Sequence, residues 1–211
     1  MADLIAFRMV GPVFLFALKN LLLTMKGVDD LSKGYPSPRM RITLLIEEFQ
    51  KMKYKPQLRR HDIGKKFINT IDSLKQQLQD IEERKKDEVE NLVFRSITKV
   101  IPSLRNEVRR ATAQLEYVPR QFCAEVFPLV EILDSFVTPV EVAPGTPASP
   151  ASIMNSGLLY DLLFRNKLYK TLNARSSRDK LNAIQKLHQL LLKALELSEI
   201  QSSWKKAGKS L

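Results

Sequence analysis

Hydrophobic positions along this chain recur every three or four residues rather than every second one, the spacing of helices with one buried face. The pattern predicts a first helix over residues 3–26, with Asp3 as N-cap and Gly27 as C-cap. Gly27, Gly34, Pro36 and Pro38 then mark a loop. Met40–Met52 reads as a helix with Ile42, Leu45, Ile46 and Phe49 on one face, ended by Pro56. The longest regular stretch follows. Phe67, Ile71, Leu74, Leu78 and Ile81 keep the spacing of a helix-pairing seam, which Val89, Leu92 and Val93 continue. A strict heptad fails because it places Lys85 and Glu88 in the seam. An eleven-residue period does better. Phe67, Leu78, Val89, Val100, Ala111 and Phe122 form one row, and Ile71, Val93, Leu104, Leu115 and Val126 a second. Eleven residues in three turns favours straight or slightly right-handed pairing. Pro102 and Pro119 fall inside these rows and are expected to kink or restart the helix, giving one helix over 62–101 and shorter ones after it. The stripe is narrow and its flanks are charged, which suits a dimer or paired hairpin better than a broad bundle face.

Thr138–Gly157 holds Pro139, Pro144, Pro147 and Pro150 and reads as a loop or semi-extended linker. Two more helices are expected over 157–173 and 178–204, the second with Leu181, Ile184, Leu187, Leu191, Leu195 and Leu197 on a broad apolar face. Period-two alternation is rare, so few strands are expected. The expected fold is therefore all-α: a long helix or coiled-coil-like hairpin plus a helical bundle, with a Pro-rich loop before two C-terminal helices. Its expected segments are an apolar helix over 1–27, a loop and basic short helix over 28–61, and long and kinked helices over 62–137. A linker over 138–157 and a C-terminal helical pair with a basic tail over 158–211 complete it.

Residues 11–27, "GPVFLFALKNLLLTMKG", are the most apolar run. A membrane span needs about 20 predominantly apolar residues. Extending the run to Leu4–Met25 admits Arg8 and Lys19, and each charge near a span's centre costs roughly 2.5–3.5 kcal/mol. A span is therefore not expected. A secretory signal fits poorly too, because Asp3 offsets Arg8 and no small-residue cleavage pattern follows. Phe14, Leu18, Leu21 and Leu22 are expected to face the chain's own core or a partner, with a membrane surface as the alternative cover.

The net charge is +11, and it is polarised. Lys33–Lys66 carries ten Lys/Arg against three acids, Arg165–Leu211 eleven against three, and Asp72–Glu90 is acidic. Lys51, Lys53, Lys55, Arg59, Arg60, Lys65 and Lys66 form the candidate basic surface. Such patches attract phosphate backbones, anionic lipid or acidic proteins. Tyr54 and Phe67 lie among these cations, an interleaving that single-strand nucleic-acid binders use for base stacking.

Catalytic chemistry is thin. His61 and His188 are far apart, and Cys123, the sole cysteine, sits in an apolar helical context that predicts a buried core residue. A single cysteine excludes an internal disulfide framework and fits a reducing, intracellular compartment. Metal-ligand spacings and a GxSxG motif are absent, and the Ser-x-x-Lys match at Ser96–Lys99 lacks its companion motifs, so no catalytic residue, metal or cofactor is expected. Acidic pairs such as Glu47–Glu48 and Glu82–Glu83 read as solvated helix faces.

"AEVFPLVEILDSF", with Phe127, Pro128, Leu129, Val130 and Glu131, resembles the bundle-entry helix of GrpE-type nucleotide exchange factors. "NSGLLYDLLFRNKLYKTL", opened by Gly157, is similar to the next bundle helix. The resemblance spans residues 65–173 and implies a dimeric helical co-chaperone of a DnaK-type chaperone. That family ends in a small β domain, whereas this chain continues as helix and basic tail. The leading expectation is a non-enzymatic helical interaction or scaffold protein acting through helix pairing and basic surfaces, with a protein partner, as homodimer or larger assembly. A GrpE-like co-chaperone, a nucleic-acid binder and a peripheral membrane protein are the alternatives.

Overall fold

A computed structural model of the chain describes residues 1–24, 36–84, 88–113 and 115–207. The fold is all-α, with two short strands among the described residues. The Gly27 cap, most of the loop after it, the end of the basic tail, and the side chains of Ile81, Val89 and Val93 lie outside the described residues. Two compact units divide the chain, Met1–Pro119 and Arg120–Leu211.

The first unit opens with two helices where one was expected, α1 (Ala2–Val10) and α2 (Phe14–Thr24). Gly11 takes φ 112°, a conformation open to glycine. Pro12 follows it and disfavours helical backbone at the preceding residue. The break re-aims the apolar run. Leu15, Phe16, Leu18 and Leu22 are buried, whereas Phe14 is half-buried and Leu21 exposed. Among the described residues no helix is long and apolar enough to cross a membrane.

Helix α3 (Pro38–Lys51) starts where Ser37 accepts a hydrogen bond from the Met40 N–H (3.3 Å) and Pro38 occupies the first turn. Pro56 does not end it but lies within the short α4 (Tyr54–Leu58). Helix α5 (Asp62–Arg84) follows, then α6 (Glu88–Thr112). Helix α1 packs on α3 and α6, α2 on α3, and α5 on α3 and α4. Aromatic rings fill the space between them. Phe49 stacks on Tyr54 at 5.3 Å, and Phe67 meets Phe49 edge-on at 6.3 Å. The Tyr54 hydroxyl donates to the Tyr117 carbonyl (2.5 Å), so the buried ring keeps its polar end paired.

The eleven-residue rows do not survive as a continuous face. Val100 is 62% exposed, and Ala111 and Leu115 are also exposed. Among the described residues, the buried positions of α6 are Ile101, Arg105, Val108 and Thr112. Two of these four are polar, so apolar periodicity alone selects the wrong rows. Pro102 sits on the exposed side of α6 without ending it.

The second unit holds α7 (Pro119–Asp134) from its second residue on, the strands β1 (Glu141–Ala143) and β2 (Thr146–Pro147), α8 (Pro150–Thr171) and α9 (Ser177–Ala207). The expected linker is thus a tight antiparallel hairpin turning at Gly145, φ 71°. It is bound to α9: Ser198 Oγ donates to the Ala148 carbonyl (2.5 Å), and Gln201 Nε2 to Glu141 (3.2 Å). Helix α8 begins seven residues before the expected start, at a Ser149–Pro150 cap in which Ser149 accepts from the Ser152 N–H (3.1 Å). Gly157 therefore lies inside α8 rather than opening it. A Cβ there would come within 2.1 Å of Leu191 Cδ1, so the missing side chain lets α8 and α9 approach. Tyr160 hydrogen-bonds Asp134 (3.4 Å), and burial pushes its hydroxyl up to about 12.

Gly64 on α5 is as tight, but against backbone: its Cβ would lie 2.1 Å from the Leu58 carbonyl oxygen. Gly64→Ala is expected to lose about 2 kcal/mol or more of stability by urea denaturation. Gly157→Ala is expected to lose less, since Leu191 can change rotamer while the Leu58 backbone cannot. The reverse ranking would refute the backbone-clash account.

Candidate functional site

Glu48 lies beside Leu45 and Phe49 on the inner side of α3 and is fully buried. This overturns its expected place on a solvated helix face. A carboxylate removed from water stays ionised where cations and hydrogen bonds replace the solvent. Arg8 of α1 and Arg105 of α6 supply them. Arg8 Nε donates to Glu48 Oε1 (2.8 Å), Arg8 Nη2 donates to the same oxygen, and Arg105 Nε donates to Oε2 (2.9 Å). Arg105 Nη2 also reaches Glu47 Oε2 (2.9 Å), and Arg8 Nη1 reaches Glu116 (3.3 Å). Three helices of the first unit are thereby tied through one carboxylate. The Arg8 carbonyl accepts from the Tyr117 N–H (2.7 Å), joining the segment after α6 to α1.

These arginines form the floor of a cleft of about 570 Å³. Its walls include Lys51, Met52, Lys53, Pro102, Asn106 and Arg109. Five cationic side chains and two carboxylates line it; Glu48, Glu116 and the adjoining Glu47 are paired with the two floor arginines, which leaves three wall cations. Both carboxylates are ion-paired to the floor. Lys51, Lys53 and Arg109 are exposed and make no ion pair among the described residues. Lys53 is in the left-handed region at φ 57°, where the chain turns from α3 into α4. The site can attract and hold an anion. Its described groups are guanidinium, ammonium, amide and already paired carboxylates.

Of the expected basic surface, Lys51 and Lys53 reach this cleft, whereas Arg59, Arg60, Lys65 and Lys66 are exposed elsewhere on the first unit. Lys55 is half-buried against Asp72 (2.7 Å), and Lys65 pairs with Asp62 (2.8 Å). Tyr54 and Phe67 are fully buried, so neither ring is available to stack on a base. Of the expected seam, Phe67, Ile71 and Leu74 are buried in the first unit's own core. Leu78 is half-buried, and Leu92 is 69% exposed. In the second unit Phe127, Leu129 and Val130 are buried on α7, Pro128 is half-buried, and Glu131 faces solvent. Cys123 is buried as well.

Sequence reasoning missed Arg8, Glu48, Arg105 and Arg109. One signal was present: Glu48 follows Leu45 by three residues and precedes Phe49, at the edge of the apolar face of α3. No protein-family model, curated protein or solved structure matches this chain.

Removing one member of a buried ion network strands its partners, at about 3–5 kcal/mol. Arg105→Met alone is therefore expected to destabilise the protein strongly. The triple substitution Arg8→Met, Glu48→Leu, Arg105→Met, which strands no partner within the triad, is expected to cost less than that single change. Urea midpoints of the two variants decide it, and additive losses would contradict the network.

Proposed function

We propose that this chain is a non-enzymatic helical interaction protein that recruits an anionic partner through the basic face of its first unit. The observation that carries the reading is the unneutralised cluster of Lys51, Lys53 and Arg109 around a cleft whose carboxylates are already held by Arg8 and Arg105. Arg59 and Arg60, exposed elsewhere on the same unit, add to its positive charge. Clustered charge of one sign raises the encounter rate with an opposite surface and makes binding salt-sensitive. The loss of Tyr54 and Phe67 to the core favours surface charge pairing over base stacking.

Fluorescence anisotropy with a labelled poly-glutamate peptide tests it. Binding is expected at low salt, weakening as salt rises, and Lys51→Glu/Arg109→Glu is expected to reduce it severalfold. Absence of binding at low salt, or indifference to both salt and charge reversal, would sink the reading.

Helix pairing enters the same reading beyond Leu74, where Leu78 and Leu92 keep exposed apolar surface. A second copy is the proposed occupant. Sedimentation equilibrium is expected to show a dimer that Leu92→Asp dissociates, and a monomeric native protein would remove this part.

A further inference from the structure

We propose that the cleft floored by Arg8 and Arg105 is a binding site for a polyphosphate group. This deepens the anionic-partner reading and rests on it. Charge density points to the ligand class. Lys51, Lys53 and Arg109, three cations with no ion pair among the described residues, surround a cleft of about 570 Å³, the size of a small-molecule site. A lone carboxylate brings one negative charge, whereas each phosphate monoester carries about 1.5–2 at neutral pH on three acceptor oxygens. Two linked phosphates match those three cations within one small volume.

The donors are also held in place. Arg105 is 8% exposed, and its Nε and Nη2 are fixed on Glu48 and Glu47. Its Nη1 makes no hydrogen bond among the described residues. A guanidinium held by two of its nitrogens offers the third at little further entropic cost. Lys51, Lys53 and Arg109 stand on the walls, where flexible ammonium and guanidinium groups close on an oxyanion. Lys53 keeps a left-handed backbone, strained for a residue with a Cβ, at the turn that brings both lysines to the cleft. Met52 and Pro102 add apolar wall for whatever carries the phosphates.

Isothermal titration of the full chain with inorganic pyrophosphate tests the site. Lys53→Asn/Arg109→Gln removes two wall charges, and asparagine tolerates the left-handed backbone. This variant is expected to bind about tenfold or more weakly, the loss of charge-assisted hydrogen bonds. Lys186→Gln/Lys193→Gln removes the same charge from exposed positions of α9 and is expected to change affinity less than about twofold. A second arm uses phosphatidylcholine vesicles containing phosphatidylinositol bisphosphate. Vesicle binding that pyrophosphate competes away assigns a lipid headgroup, and pyrophosphate binding without vesicle binding assigns a soluble phosphate ligand. No pyrophosphate binding by the native chain, or equal losses in the two double variants, overturns the site. If the poly-glutamate peptide still binds in that case, the cleft assignment alone falls; if neither binds, the anionic-partner reading falls with it.

Discussion

A carboxylate sealed away from water imposes a demand that the rest of the first unit meets. Glu48 is fully buried, so its two oxygens need donors from neighbouring helices, and Arg8 and Arg105 provide them. Desolvating three charges is costly, and their mutual attraction repays it where geometry is good and the remaining donors are occupied. Here Glu47 and Glu116 take up further guanidinium nitrogens at the cleft margin. The arrangement is directional, unlike the aromatic packing of Phe49, Tyr54 and Phe67 beside it. A shifted register in α1 or α6 would leave a buried charge unpaired, whereas an apolar core tolerates small shifts.

The cleft follows from the same demand. Pairing the carboxylates with the floor arginines leaves the wall cations without internal partners among the described residues. The positive surplus at the mouth is therefore linked to the way the core is held together. The recognition surface proposed above and the stability of the unit share Arg8 and Arg105, while Lys51, Lys53 and Arg109 stand outside the core and are free to serve a ligand.

Proline shows how local chemistry and tertiary context divide the work in the second unit. Pro150 begins α8 behind an N-cap serine, as Pro38 begins α3 behind Ser37. At the first turn a proline lacks only an N–H that the helix does not use, so it starts helices as readily as it stops them. The Ser-Pro pairs were legible, but a cluster of four prolines between apolar stretches reads equally well as an extended linker. The hairpin over Glu141–Pro147 exists because α9 lies beneath it and offers Ser198 and Gln201 as partners. Those partners are about 50–60 residues away, beyond the reach of local pattern.

The all-α class, the helices around 40–52 and 178–204, and the want of a membrane-spanning helix among the described residues were determined by the sequence itself. Each depends on periodicity, propensity or length within one segment. The Gly11–Pro12 break, the inner face of α6 and the burial of Glu48 were decided by the tertiary structure. A polar side chain at an inner position has no local signature, because its burial depends on a complementary charge from elsewhere in the chain. Arg105 and Thr112 hid the true face of α6 from an apolar count, and Arg8 read as a defect in a hydrophobic helix. Only folding brought Arg8, Glu48 and Arg105 together, since Coulomb attraction acts through space and the two arginines lie 40 and 57 residues from the glutamate.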